Sequence, residues 1–587
     1  MMLQPTALVV IALTLSPALA LWPIPTNITT GDQVLFIDDK VTVTYNGEDL
    51  ATERNFKPPP GPEFDSKTII ESGVSRALRG ILDENFVPWK LRPRNSDFEP
   101  KRDNDKRLKS VKIEQAEPDD GRVFKPMAGA VDETYSLDVT AEGEATIRCK
   151  TSTGCLWGIE SLVQFFYKHG ETSESSPLSY TSKAPISVQD GPKFGHRGLV
   201  MDLARNWYPV DDIKRTIDAM SWNKMNRLHL HMTNTQSWPI EIPALPELAE
   251  RGAYRKGLSY SPEDMSAIQE YGTYRGVAVV VEIDMPNHIG IVELGYPDRG
   301  LTVAFEKEPW QWFCLEPPCG AFQLDSENVT RFVDDLFDDL LPRLEPYAAY
   351  FHTGGDELHL NDSAIDPTVR SNETSVIAPI LQKFIDRVHD KVRKAGLTPM
   401  VWEDLVTKYN QTLGDDVVVQ AWLEDDSVKK LAEAGHKVID SNHNFWYLDC
   451  GRGQWLNFGN GAQFQKAYPF ADYCSPVKNW RLMYSHDPTA GLSEEAAKRV
   501  LGGEVAAWSE MTDGVNLDTN VWPRSSAAAE VLWSGRQDGS GQNRSQLEAA
   551  PRLAELRERM VARGVRALPV QMIYCTQNDA VDCASTE

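Results

Sequence analysis

The sequence predicts an α/β chain, a (β/α)8 barrel preceded by a smaller α/β domain. Three observations predict it. After residue 190, eight short apolar runs recur, most ending in polar or aromatic residues and most followed by a helix-like stretch. These runs are apolar on both faces, which suits strands of a parallel sheet covered by helices. Before residue 190, strand-like and helix-like pieces alternate without that repeat. Eight βα units over roughly 350 residues make a barrel with long loops, and such a barrel carries its site at the C-terminal ends of its strands.

The elements follow in order. Residues 1–20 read as a signal peptide: 7–15 are almost continuously apolar and Ala18-Leu19-Ala20 is a small-x-small cleavage site, although no Lys or Arg precedes them. The apolar run is too short for a permanent membrane span. The C-terminus has no apolar tail that would direct a lipid anchor. The mature chain is therefore expected to begin near Leu21 and to be secreted. Residues 21–190 form the smaller domain, with strands at 34–37, 41–45 and 135–139 and a helix at 66–85. Its charged, Pro-containing loop 90–109 holds two dibasic pairs, Lys101-Arg102 and Lys106-Arg107, as candidate processing sites. Residues 191–587 hold the barrel, a C-terminal helix and a tail. Its strands are expected at 198–202, 227–232, 277–284, 347–357, 399–403, 417–422, 437–440 and 501–508.

Composition narrows the setting. The 587 residues can bury a large core, and 41% hydrophobic with 25% charged residues is ordinary for a globular protein. A net charge of −25 speaks against nucleic acid or an anionic membrane as partner. The eight cysteines form no C-x-x-C pair, which speaks against a zinc cluster. In an exported chain they suit disulfides. Proximity suggests Cys149–Cys155, Cys314–Cys319, Cys450–Cys474 and Cys575–Cys583, although spacing does not determine connectivity. Six N-x-[ST] sequons, at Asn27, Asn328, Asn361, Asn372, Asn410 and Asn543, are candidate glycosylation sites.

The most pointed motif is Tyr350-Phe-His-Thr-Gly-Gly-Asp-Glu-Leu358. An apolar strand runs into two glycines and then two adjacent acids, Asp356 and Glu357. Like charges so close push one pKa up, which sets a general acid beside a permanent anion. The bland alternative is an acidic loop in an acid-rich chain. The other strand ends carry Asp202 and Arg205, Asn234, Asp284 and His288, Trp402, Trp422, Tyr447 and Asp449, and Trp508 and Glu510. Aromatic rings stack on sugar faces and carboxylates grip hydroxyls, so a sugar site is expected. His229 and His231 form H-x-H on one strand and admit a metal reading, which needs a third ligand.

Several motifs in order carry a family resemblance. They are His196-Arg-Gly-Leu199, Lys224-Met-Asn226 with Leu228-His-Leu-His231, Gln236-Ser-Trp-Pro239, Glu282-Ile-Asp-Met-Pro286 with His288, and His352-Thr-Gly-Gly-Asp-Glu357. Trp446-Tyr-Leu-Asp449, Leu501-Gly-Gly-Glu504 and Leu532-Trp-Ser534 follow. The chain resembles β-N-acetylhexosaminidases of glycoside hydrolase family 20, of the secreted fungal type. Gly154-Cys-Leu-Trp-Gly-Ile-Glu-Ser161 resembles the family's small N-terminal domain. The resemblance implies exo-acting, retaining removal of terminal β-linked GlcNAc or GalNAc, with the substrate's acetamido oxygen as nucleophile. It implies Glu357 as acid and then base, with Asp356 on the acetamido N–H. Tyr447 is expected on the acetamido oxygen. Trp402, Trp422 and Trp508 are expected as walls, and Arg197, Asp449 and Glu510 on the sugar hydroxyls. No metal or cofactor is implied, and His229 and His231 become core or supporting residues. The expected partners are GlcNAc- or GalNAc-terminated oligosaccharides, with no nucleic acid or membrane, and a homodimer is a candidate assembly.

Two departures stand out. Asn234 replaces the Asp of the family's D-x-Q-S stretch, which pairs with the histidine at His288, itself a neighbour of Glu357. Asn287 replaces a glycine after Pro286, where it is expected to tolerate a left-handed backbone. Three readings therefore compete: an active exo-hexosaminidase, a weakened or inactive glycan-binding homologue in which Asn234 breaks the relay, and a metal-dependent barrel hydrolase using His229, His231 and Asp356.

Overall fold

The computed structural model describes residues 21–585 apart from 103–105, 172, 174–176, 460 and 579. The expected signal peptide at 1–20 and part of the loop 90–109 lie outside the described residues.

The smaller domain is a mixed sheet. Asn27–Ile37, Ser179–Asp190, Tyr135–Val139, Glu144–Cys149, Ser110–Gln115, Thr42–Tyr45 and Glu48–Asp49 lie side by side in that order. Its strands alternate along their length, as in Ser110–Gln115, where Val111, Ile113 and Gln115 are buried and their neighbours are not. One face is therefore covered and the other open. The cover is two helices, Ser66–Leu82 and Ser152–Gln164. The side chain of Asp65 accepts from Thr68 N and that of Thr151 from Gly154 N, which satisfies amides that a helix start leaves free. Leu78, Ile81 and Trp157 then pack on Leu137 and Ile147.

The second unit is a closed parallel barrel. Its strands are β1 (His196–Asp202), β2 (Arg227–His231), β3 (Ala278–Glu282), β4 (Tyr350–His352), β5 (Thr398–Trp402), β6 (Val418–Ala421), β7 (Lys437–Asp440) and β8 (Val500–Ala507). The expected run 347–357 shortens to three residues. Gly354 and Gly355 take φ of 69° and 102°, which ends the extended chain there.

The barrel interior is layered. Val280, Tyr350, Met400, Val418 and Ile439 make an apolar floor. Two residues further along their strands come Glu282, His352 and Gln420, which meet His229 and Glu504 in a buried polar layer. His229 bonds Glu504 from Nδ1 at 2.9 Å and Glu282 from Nε2 at 3.0 Å. Gln420 donates to Glu504 at 3.0 Å, and His231 Nδ1 lies 2.6 Å from Glu282. Trp402 Nε1 donates to Glu282 at 2.7 Å and so stands on this layer. The chain ends clamp the two units together: Trp22 Nε1 donates to Ser526 O and Trp533 Nε1 to Asp190.

Disulfides join Cys149–Cys155, Cys314–Cys319, Cys450–Cys474 and Cys575–Cys583. Five of the six sequon asparagines are exposed, while Asn361 is half-buried and donates to Trp312 O.

Candidate active site

The C-terminal ends of the strands open into a cavity of about 510 Å³. Asp356 and Glu357 line it from the turn after β4. Asn234, Trp402, Trp422, Tyr447, Asp449, Trp508 and Glu510 line it from the ends of five other strands. His288 stands beside the acids, with Nε2 3.3 Å from Glu357 Oε2 and 3.9 Å from Asp356 Oδ2. Of the residues expected to act on the sugar or on its acid, Arg197 alone lies elsewhere.

The backbone of the acid is held from two sides. Glu357 has φ of 55°, its N–H donates to Asp404 Oδ1 at 3.3 Å, and its carbonyl accepts from Asn287 Nδ2 at 2.9 Å. The walls are equally fixed. Trp422 Nε1 donates to Asp404 Oδ2 at 2.8 Å, and its ring lies parallel to Tyr447 with centroids 6.3 Å apart. Trp508 sits 6.0 Å from Trp402 and beneath the Arg205 guanidinium at 5.2 Å. The Cys450–Cys474 bridge packs with Tyr447, Trp422 and Trp508 and braces the segment that carries Tyr447 and Asp449.

Three expectations need correction. Arg197 is buried at the opposite end of β1, where it pairs with Glu133 of the smaller domain at 2.5 Å and lies over Trp533. The arginine in the pocket is Arg205, past the C-terminal end of the same strand. It forks onto Glu316 and lies 3.5 Å from Asp202. Asn287 does not take the left-handed angle. His288 does, with φ of 57°, and the Asn287 amide is spent on Glu357 O.

The third correction concerns Asn234. Its Oδ1 accepts from Thr235 N at 2.7 Å, which turns its Nδ2 toward His231 Nε2 at 3.0 Å. Its bonds run to His231 and Thr235, while His288 meets the two acids. Asn234→Asp would aim a carboxylate at an unprotonated ring nitrogen, a loss of about 1–3 kcal/mol unless the ring takes up a proton. The variant's melting temperature is expected to fall, while the pH–rate profile keeps its position. A displaced profile with unchanged melting would instead restore the relay.

The charges explain what the pocket can do. Burial, the nearby Asp284 and then Glu357 and Asp404 lift the Asp356 carboxyl well above the usual range, although His288 opposes them. Burial works against the His288 imidazolium, but its bond to Glu357 and the charges of Asp356 and Glu357 outweigh that and raise its pKa. Burial also works against Arg205, yet Glu316, Asp202 and Glu510 hold it charged. Asp449 is pushed up to about 7 by burial and by Asp472.

The donors of His229 bear on the metal reading. Burial disfavours the charged ring of His229, but Glu504 and Glu282 outweigh it and push its pKa up to about 10. An imidazolium donating from both nitrogens has no lone pair to give a metal. His229 therefore serves the barrel's interior.

Glu316, Trp455 and Tyr473 also line the cavity, and none was singled out from the sequence. All three sit on long excursions between strands with no periodic signal. Arg205 was recognisable as a residue at a strand's C-terminal end.

Comparisons with known proteins agree with this geometry. Residues 194–536 match the description "Glycosyl hydrolase family 20, catalytic domain", and residues 21–165 match "beta-acetyl hexosaminidase like". A beta-hexosaminidase of Arthroderma benhamiae is 36% identical over 96% of each chain. A chitooligosaccharidolytic beta-N-acetylglucosaminidase of Ostrinia furnacalis is 32% identical over 76% of this chain and 75% of its own. Among solved structures, a beta-N-acetylhexosaminidase of Bacteroides fragilis superposes with a TM-score of 0.67 at 22% identity, covering 95% of this chain and 99% of that one. With an acid pair at the end of β4, an aromatic-walled pocket and this match over most of its length, the chain belongs to glycosyl hydrolase family 20.

Proposed function

We infer that the chain is an exo-acting β-N-acetylhexosaminidase that removes terminal non-reducing β-linked GlcNAc or GalNAc with retention. The observation that carries this is the adjacent pair Asp356–Glu357, both lining the cavity. Glu357 gives its proton to the glycosidic oxygen as the C–O bond breaks. The substrate's acetamido oxygen closes onto the anomeric carbon and forms an oxazolinium, while the alcohol leaves. Glu357, now a carboxylate, takes a proton from water. The oxygen of that water opens the ring at the anomeric carbon. Asp356 accepts the acetamido N–H and faces the positive charge, an interaction strongest in a site shielded from water.

Tyr447 holds the acetamido oxygen, and the three tryptophans enclose the sugar. Arg205, Asp449 and Glu510 take the hydroxyls. His288 steadies Glu357. An exported setting is supported by four disulfides and exposed sequons, and no helix among the described residues is long and apolar enough to cross a membrane.

Release of nitrophenol from its β-GlcNAc glycoside is expected, undiminished by chelator. The matching β-glucoside, without an acetamido group, should be nearly inert. A thiazoline analogue of GlcNAc should bind far more tightly than GlcNAc, as ligands resembling the transition state do. Rapid cleavage of the β-glucoside would refute the mechanism, and loss of activity to chelator would favour the metal reading.

A further inference from the structure

A second cavity, of about 100 Å³, opens where the smaller domain meets the barrel, and four arginines line it. In a chain of net charge −25 such a cluster is the exception. Arg76 and Arg79 come from the helix Ser66–Leu82, Arg275 follows the helix Pro262–Thr273, and Arg563 ends the helix Gln546–Ala562. On Ser66–Leu82 the cavity is faced by Gly73, Arg76, Ala77 and Gly80, which share one face by their spacing of three and four. A Cβ on Gly80 would stand 3.3 Å from Nη2 of Arg563. Glycine weakens a helix interior, and here it leaves that guanidinium room.

The charges around the cavity do not cancel. Arg275 pairs with Asp218 at 2.5 Å, Arg563 with Glu160 at 3.3 Å and Arg79 with Glu84 at 3.1 Å. Arg76 forms no such pair among the described residues. Its two terminal nitrogens donate to Ser72 Oγ and Tyr274 O, each at 2.7 Å, and both acceptors are neutral. The side chains of Arg275 and Arg563 are only 9% and 6% exposed, so solvent screens the cluster weakly. Arg79 Nε is buried without a hydrogen bond. Burial and then Arg275, with Arg79 behind them, lower the pKa of Arg76 to about 9, against Asp218 and Tyr271. One positive charge is thus left over, and a desolvated charge without a partner is costly.

The cavity holds several times the ~10–15 Å³ that one water needs, which suits an ion of a few heavy atoms. Guanidinium forks match the oxygens of phosphate and sulfate. Arg76 is half-buried, which leaves an entry path. We propose that this cavity binds a tetrahedral inorganic oxyanion, phosphate or sulfate, held by Arg76 with Arg275 and Arg563, and that the ion ties the smaller domain to the barrel. The site is remote from the chemistry. The helices Val210–Trp222 and Pro262–Thr273 end beside it and lead into β2 and β3, which places it at the opposite end of the barrel from Glu357.

The test is titration calorimetry of the full chain with phosphate at fixed ionic strength, with sulfate in a second arm and chloride as the blank. Saturable one-to-one binding is expected, with a matching saturable rise in melting temperature. The tighter of the two ions names the occupant. Both ions also stabilise proteins by exclusion from the surface, an effect that grows without saturating. Arg76→Met should weaken binding by about 10- to 100-fold, the worth of one charge-assisted hydrogen bond. Arg76→Lys keeps the charge and loses the fork, so its affinity should fall between the two, and it carries the test if the Met variant folds poorly. Both variants should keep native kcat and KM on the nitrophenyl β-GlcNAc substrate. Equal affinity in the native chain and both variants would overturn the proposal. So would the absence of saturable binding, which would leave the arginines as partners of the helix C-termini that meet there.

Discussion

Glu357→Gln is expected to slow hydrolysis of chitobiose by about 10²–10⁴-fold, the usual worth of a positioned acid–base group. The structure makes this a clean substitution. The backbone of Glu357 is fixed by Asp404 and Asn287, and neither bond involves its carboxyl. The amide oxygen of Gln can still accept from His288 Nε2, now 3.3 Å away. Melting temperature and KM should therefore stay close to native while kcat collapses. An aryl glycoside with a good leaving group needs less help from a proton, so its bond-breaking step should lose less than that of chitobiose. A variant that cleaves chitobiose at near-native rate would remove Glu357 from the role of acid.

The second large effect separates two arginines on one strand. Arg197→Met leaves Glu133 buried without its guanidinium, although Trp157 and Asn226 still donate to it. Breaking a buried pair in this way costs about 3–5 kcal/mol. The expected result is a markedly lower melting temperature with kcat and KM preserved in the protein that remains folded. Arg205→Lys should behave in the opposite way. Lysine keeps the charge beside Glu316, Asp202 and Glu510 but loses the planar fork. One charge-assisted hydrogen bond is worth about 1.5–3 kcal/mol, so kcat/KM should fall by about 10- to 100-fold, mostly through KM, with little loss of stability. Equal kinetic damage from both variants would contradict the placement of Arg197 outside the pocket.

These two arginines also show what the sequence could reveal. The barrel was legible because eight short apolar runs recur, most of them ending in polar or aromatic residues and followed by a helix-like stretch. The acid pair was legible because two glycines end its strand. Arg197 was misplaced by motif, whereas chain direction alone favours Arg205: a parallel strand delivers its last residues to the site, not its second. Glu316 and Tyr473 were beyond reach, since excursions without periodicity do not say where they fold back. The Asn234 bonds were also hidden, because the orientation of its amide is set by Thr235 N, a backbone contact that no residue pattern records.

The polar layer within the barrel also decides which surroundings the fold prefers. His229 holds its proton to a pKa of about 10, against an ordinary 6.5. Its contribution to stability is complete below about 6.5, erodes above that, and is gone beyond about 10. Burial works against ionised Glu282 and Glu504, but the imidazoles around them outweigh it and hold both below the usual 4.5. Their contribution is complete above about 4.5 and fades as the medium grows more acidic. Asp284, Asp356 and Glu510 are lifted instead, chiefly by burial, so rising pH weakens the fold through them. The histidine and the two glutamates are both complete between about 4.5 and 6.5, whereas the lifted acids already weaken the fold across that window as pH rises. Alkali thus acts on the interior of the barrel, where the polar layer beneath Trp402 loses the His229 charge.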